Sequence, residues 1–163
     1  MDEIVIREIQ SSDNAAIADI IRKSLEEFGA NKPGTVYFDE TTDHLFELFQ
    51  STPNSKYFIA ALNGNMIGGA GIFPTANLPA DVCELVKMYL SKDARGKGLG
   101  RTMINHCLHT AKQLGYQKVY LETMPELKNA VKVYEKFGFA YLNGPMGNSG
   151  HNGCDLWMLK ELE

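Results

Sequence analysis

Residues 95–101, with the sequence RGKGLGR, place three glycines among three basic side chains. Backbone N–H groups that are free at the start of a helix, together with the positive end of the helix dipole, form a binding site for an anion. Glycine lets the backbone close tightly around such an anion, and Arg and Lys side chains add positive charge. The residue types and their spacing therefore predict a phosphate-binding turn.

Three classes of phosphate-binding loop have sequence patterns that can be compared with this turn. A P-loop requires the pattern GxxxxGK[ST], which the chain lacks. A dinucleotide-binding turn requires GxGxxG, but its third glycine would fall on Arg101 or Met103. Residues 95–100 match the third pattern, R/Q-x-x-G-x-G/A, at each fixed position.

The spacing of apolar residues predicts the elements that hold this turn. An extended run precedes it and an amphipathic helix pattern follows it. Along the chain, the predicted order is strand, two helices, three strands, helix, strand, helix and two strands. Strands are predicted over 3–9, 57–62, 66–73, 82–90, 117–123, 139–142 and 154–159, and helices near 17–28, 45–49, 99–114 and 127–137.

These elements predict a mixed α/β sheet with helices on both faces, in one domain over residues 1–163. The strand-helix-strand segment over 83–123 predicts a right-handed parallel crossover. The turn Asn63-Gly64-Asn65 predicts a hairpin between two neighbouring strands.

Composition and charge narrow the class of protein. The chain has 163 residues, of which 44% are hydrophobic and 22% charged, the balance of a soluble globular domain. Its net charge of -4 argues against nucleic acid as a partner. It has neither an apolar run long enough to span a membrane nor a secretory signal, so we expect a cytoplasmic location. Cys83, Cys107 and Cys154 are scattered, which indicates packed thiols in a reducing compartment rather than a disulfide or metal site.

A second motif lies downstream of the turn. Residues 129–139, NAVKVYEKFGF, place Asn129 and Tyr134 on the last predicted helix, before a Gly-Phe pair. Together the two motifs resemble the GNAT superfamily of acetyl-CoA-dependent N-acyltransferases, and the resemblance covers nearly the whole chain. It implies a single-domain α/β fold, with a mixed, mostly antiparallel central sheet that is splayed in the middle and has helices on both faces.

The resemblance implies acetyl-CoA as cosubstrate and no metal. Backbone N–H groups of the turn would hold the pyrophosphate, and the strand before it would pair with the pantetheine arm as if the arm were a further strand. Asn129 would hydrogen-bond the arm from the other wall, and Tyr134 would point its hydroxyl at the thioester sulfur. The implied cofactor-binding residues are Met88, Tyr89, Leu90, Arg95, Gly96, Lys97, Gly98, Leu99, Gly100, Arg101, Asn129 and Tyr134.

The implied reaction is direct attack of a neutral amine on the acetyl thioester in a ternary complex. A carboxylate would take the amine's proton, a backbone N–H near Met88 would stabilise the oxyanion, and Tyr134 would protonate the departing thiolate. Glu84 and Glu122 compete as the base, and ordered water is an alternative within the family. We favour Glu84, because strand alternation would place Glu84, Val86 and Met88 on one face.

The sequence leaves the acceptor open between small-molecule and peptide amines. In similar proteins, the loops at 37–39 and 143–153 border the acceptor site, and the second contains His151. The acidic net charge favours a cationic amine, and a homodimer is expected only by analogy. Two other functions compete with the transferase: a coenzyme A-binding sensor without turnover, and a nucleotide-dependent oxidoreductase.

Overall fold

A computed structural model describes residues 2–147 and 153–163, so the hypothesis about His151 lies outside the described residues. The strands are β1 Ile4–Glu8, β2 Lys56–Leu62, β3 Asn65–Phe73, β4 Val82–Leu90, β5 Lys118–Thr123, β6 Ala140–Leu142 and β7 Leu156–Glu161. The α-helices are α1 Asn14–Glu27, α2 Leu45–Gln50, α3 Leu99–Gln113 and α4 Lys128–Lys136. Short 3-10 turns lie before α1, between α1 and α2, and before the glycine-rich turn.

The seven strands form one open sheet in the order β1-β2-β3-β4-β5-β7-β6. Only β4 and β5 pair in parallel among the described strands, which confirms the mixed, mostly antiparallel sheet and the parallel pairing of the crossover. The predicted hairpin is β2–β3. Asn63 and Gly64 have φ angles of 51° and 84° at its turn, the left-handed conformation that tight hairpin turns require.

The sheet splays between its two parallel strands. β4 pairs with β5 only over Val82–Glu84, and beyond that point β4 continues beside β3 while β5 continues beside β7. The carboxyl halves of β4 and β5 therefore separate. This gap confirms the splayed sheet that the family resemblance implied.

A β-bulge in β4 changes which side chains share a face. Val86 lies opposite Gly71 and Tyr89 opposite Gly69, so two residues of β4 face one residue of β3. Lys87 has a φ of 52° at this point. The extra residue reverses the alternation, as bulges do.

The prediction that Glu84, Val86 and Met88 share one face was therefore wrong for Met88. Met88 packs with Leu85 in the core beneath α3, whereas Val86 packs in the core beneath α1 and α2. Side chains alternate between the two faces only where each residue of one strand lies opposite one residue of the next. At the bulge two residues lie opposite one, so the alternation is reversed beyond it.

Two apolar cores lie on opposite faces of the sheet. One is formed with α3 and α4 and contains Cys83 and Cys107, which confirms the packing interpretation of these two thiols. The other is formed with α1 and α2. Within the described ranges, no helix is long and apolar enough to cross a membrane, and the cytoplasmic location stays a prediction.

Candidate active site

The splay between β4 and β5 opens into a cleft of about 430 Å³. Its walls are the two strands, the glycine-rich turn, the end of α1 and the first turns of α4. The predicted site residues that line it are Glu84, Met88, Tyr89, Leu90, Arg95, Gly96, Gly98, Leu99, Gly100, Arg101, Glu122, Asn129 and Tyr134. Lys97 is the predicted residue that does not, since its ammonium is exposed and lies 3.9 Å from the Asp2 carboxylate.

The glycine-rich turn, residues 95–101, forms one end of the cleft, which we call the loop half. Gly96 and Gly98 have φ angles of 79° and 74°, and Gly98 directly precedes the first residue of α3. A side chain at either position would be strained by the backbone even though the space around it is open. The first N–H groups of α3 lack partners within the helix, so this end of the cleft is suited to an anion.

The Arg95 side chain ties the turn to α1. Its guanidinium forms an ion pair with Glu27, donates a hydrogen bond of 3.1 Å to the carbonyl of Leu90, and lies 4.7 Å from the ring centroid of Phe28. Burial lowers the pKa of Arg95. We interpret Arg95 as a residue that positions the turn, because both of its terminal nitrogens donate to protein groups, the Glu27 carboxylate and the Leu90 carbonyl.

Tyr134 and Asn129 reach the cleft from α4. Tyr134 is buried, and its ring contacts Phe139 edge-on at 5.9 Å between centroids. Burial raises the pKa of Tyr134, so its hydroxyl keeps its proton at neutral pH and is available as a hydrogen-bond donor. Asn129 is exposed and does not cap α4, whose N-cap is Leu127, so its amide can contact a ligand.

The opposite end of the cleft, which we call the carboxylate half, is lined by Glu84, Lys87 and Glu122. Glu84 is only 4% exposed and accepts a hydrogen bond of 2.6 Å from the Thr75 hydroxyl. Burial raises the pKa of Glu84 to about 7, the hydrogen bond from Thr75 lowers it, and the charge of Glu122 raises it. A carboxylate with this pKa gains and loses its proton near neutral pH, as a general base must.

Glu122 belongs to a separate hydrogen-bonded group on β5. It accepts a hydrogen bond of 2.7 Å from the Tyr120 hydroxyl, which in turn accepts one of 3.1 Å from the backbone N–H of Met146. Burial raises the pKa of Tyr120, so that phenol remains a donor at neutral pH. The two candidate bases therefore lie in one cleft with different surroundings.

Sequence reasoning missed Lys87, which lines the carboxylate half. It also missed Tyr57, whose hydroxyl donates a 2.7 Å hydrogen bond to the Lys87 carbonyl. The signal was the run of glycines on β3, since glycine inside a strand marks a bulge or a close backbone approach. A Cβ at Gly69 or Gly71 would lie within 2.7 Å of the Tyr57 ring, and one at Gly68 would lie 2.1 Å from the carbonyl oxygen of Tyr89.

Cys154 lines the cleft but is not a reactive thiol. Burial raises its pKa to about 12, so it stays protonated at neutral pH. No cluster of metal-ligating side chains occurs in the described part of the chain.

Two solved structures share the fold of this chain. An acetyltransferase of the GNAT family from Staphylococcus aureus Mu50 superimposes with a TM-score of 0.84 at 20% identity, covering 99% of this chain and 100% of that one. The PaiA N-acetyltransferase of Thermoplasma acidophilum, solved with coenzyme A, superimposes with a TM-score of 0.76 at 19% identity, covering 98% of this chain and 99% of that one. The fold is thus that of GNAT acyltransferases.

Sequence comparison identifies the family. A protein of Escherichia coli strain K12, named as the uncharacterized N-acetyltransferase YjgM, is 38% identical over 160 residues, covering 97% of this chain and 95% of its own. The model of the acetyltransferase (GNAT) family matches residues 16–139. The chain belongs to the GNAT family and is an acyltransferase.

Proposed function

We propose that this protein transfers an acetyl group from acetyl-CoA to a primary amine by direct attack in a ternary complex. The observation that carries the proposal is the cleft itself. It joins the loop half, suited to a diphosphate, to the carboxylate half, which holds two candidate bases, and Tyr134 lines the same cleft. A structural relative that was solved with coenzyme A supports acetyl-CoA as the cosubstrate.

In this proposal the coenzyme lies along the open edge of β4. The N–H groups of the turn bind the pyrophosphate, and the backbone of residues 88–90, which has no partner strand on the β5 side among the described residues, pairs with the pantetheine arm. Asn129 hydrogen-bonds the arm from α4. The thioester then lies between Tyr134 and the bulge.

Chemistry starts when Glu84 takes a proton from the acceptor's ammonium, directly or through water. The neutral nitrogen attacks the carbonyl carbon, and a backbone N–H near Met88 stabilises the oxyanion. The C–S bond then breaks, Tyr134 donates its proton to the thiolate, and the second proton of the nitrogen restores the phenol through solvent. The products are the amide, free coenzyme A and one proton.

Calorimetry with coenzyme A and acetyl-CoA, followed by thiol-release assays with amines and peptides, tests this function. We expect tight binding of both coenzymes and acetylation of at least one amine, identified by mass spectrometry. Binding without transfer to any amine or peptide would overturn the transferase in favour of a sensor. Absence of coenzyme binding, with binding of a nicotinamide nucleotide instead, would overturn both.

A further inference from the structure

Lys87 and Met88 are the two residues at the β4 bulge, and Lys87 lines the carboxylate half of the cleft. Its φ of 52° lies in the left-handed region that residues other than glycine seldom adopt. The hydrogen bond from the buried Tyr57 hydroxyl to its carbonyl fixes this conformation. Backbone strain held in place by surrounding structure clusters at functional sites.

The Lys87 ammonium forms no direct ion pair with a carboxylate in residues 2–147 and 153–163. None of the ion pairs in this part of the chain involves it. Burial lowers the pKa of Lys87, while the more distant charges of Asp39 and Glu84 raise it. An anion brought by a ligand would therefore stabilise this partly desolvated cation more than it would an exposed one.

The anion that Lys87 would meet is not a coenzyme phosphate. Lys87 precedes the strand residues 88–90, whereas the glycine-rich turn follows them, so the two lie at opposite ends of the pantetheine path. The charges of Asp39 and Glu84 both raise the pKa of Lys87, Asp39 more strongly, and the charge of Lys87 in turn lowers the pKa of Glu84. A carboxylate and an ammonium that influence each other therefore line the same end of the cleft.

We propose that Lys87 binds a carboxylate of the acceptor, so that the substrate is an amine that also carries an acid group, as a free amino acid does. The acceptor's ammonium faces Glu84 while its carboxylate faces Lys87. This assignment rests on the proposed transferase function, and it makes Lys87 a determinant of specificity rather than of chemistry.

The test compares free amino acids with their carboxamides as acceptors for the wild-type protein and for Lys87→Met. Methionine has a similar unbranched length and bears the same backbone strain, but it lacks the charge. We expect the variant to lose roughly 10- to 100-fold in kcat/KM for the free amino acid, mainly through KM, and little for the amide. Amine basicity differs between acid and amide, but that difference cancels when the two proteins are compared.

Lys112→Met is the matched control, because Lys112 is exposed on α3 and does not line the cleft. It should match wild type with both acceptors, and Lys87→Arg should recover part of the lost preference. Equal loss for acid and amide in Lys87→Met, or a wild-type preference for the amides, would overturn the assignment while leaving the transferase intact. If no amine is acetylated at saturating acetyl-CoA, the transferase itself is refuted, and this assignment with it.

Discussion

The loop half of the cleft is formed mainly by backbone groups, whereas the carboxylate half is formed mainly by side chains. The loop half is made of backbone: two glycines with positive φ, the start of α3 and an open strand edge. The carboxylate half is made of side chains that separate parts of the chain bring together, such as Thr75 beside Glu84. A shared coenzyme needs the same backbone cradle in every case, whereas acceptors differ and are recognised by side chains.

This contrast predicts which changes abolish function and which only redirect it. Changes in the loop half should remove coenzyme binding, and with it all activity. Changes in the carboxylate half should leave coenzyme binding intact and alter rate, pH dependence or acceptor preference. Tyr134, on α4, lines the same cleft and should affect the rate alone.

Gly98→Asp should have the largest effect, with loss of measurable acetyl-CoA binding by calorimetry. The substitution puts a residue with a side chain at a φ of 74°, which strains the backbone. It also adds a negative charge where the pyrophosphate would bind. Gly115→Asp is the control at the other end of α3, where φ is 94° and the space is also open. If Gly98→Asp binds as tightly as Gly115→Asp, the turn is not the phosphate site.

Tyr134→Phe should lower kcat roughly 100-fold or more while leaving the acetyl-CoA dissociation constant nearly unchanged, because the phenol acts on the departing thiolate. Stopped-flow thiol release and calorimetry measure the two quantities. Tyr141→Phe, at an exposed position outside the cleft, should resemble wild type. Unchanged turnover in Tyr134→Phe would remove the acid role from this residue.

Glu84→Gln should lose roughly 10-fold or more in kcat/KM near neutral pH, since Gln keeps the hydrogen bond from Thr75 but cannot take a proton. In the wild-type protein, activity should rise as pH passes about 7, where Glu84 becomes ionised. The ratio of wild type to variant should shrink again above the amine's own pKa, where a base is no longer needed.

Glu122→Gln distinguishes the two candidate bases in the same pH titration. If Glu84 is the base, Glu122→Gln keeps the rise near pH 7, displaced only slightly downward because the charge of Glu122 contributes to the raised pKa of Glu84. A pH profile that loses this rise in Glu122→Gln, and keeps it in Glu84→Gln, would reverse the assignment.

The same contrast explains what the sequence could and could not predict. The order of elements and the glycine-rich turn follow from local rules, since glycine and apolar spacing act over a few residues. The last strand was predicted over 154–159 but is Leu156–Glu161, because its position is set by pairing with β5, which local spacing does not report. Lys87 was missed for a related reason: a bulge is a property of two strands.

Tyr57→Phe tests how the carboxylate half is held, and we expect its effect to be the smallest of these. Removing the hydroxyl leaves the Lys87 carbonyl without its donor and should lower the free energy of unfolding by about 1–3 kcal/mol. The acceptor KM should rise a few-fold as the bulge relaxes. Chemical denaturation and steady-state kinetics measure the two effects.

Tyr116→Phe is a control with the same chemistry, because the Tyr116 hydroxyl donates a 2.8 Å hydrogen bond to the Asn54 carbonyl and lies outside the cleft. Both variants should lose stability, but only Tyr57→Phe should change the acceptor KM. If both leave the acceptor KM unchanged, the bulge keeps its shape without the phenol, and the glycines of β3 are then sufficient to hold Lys87 in place.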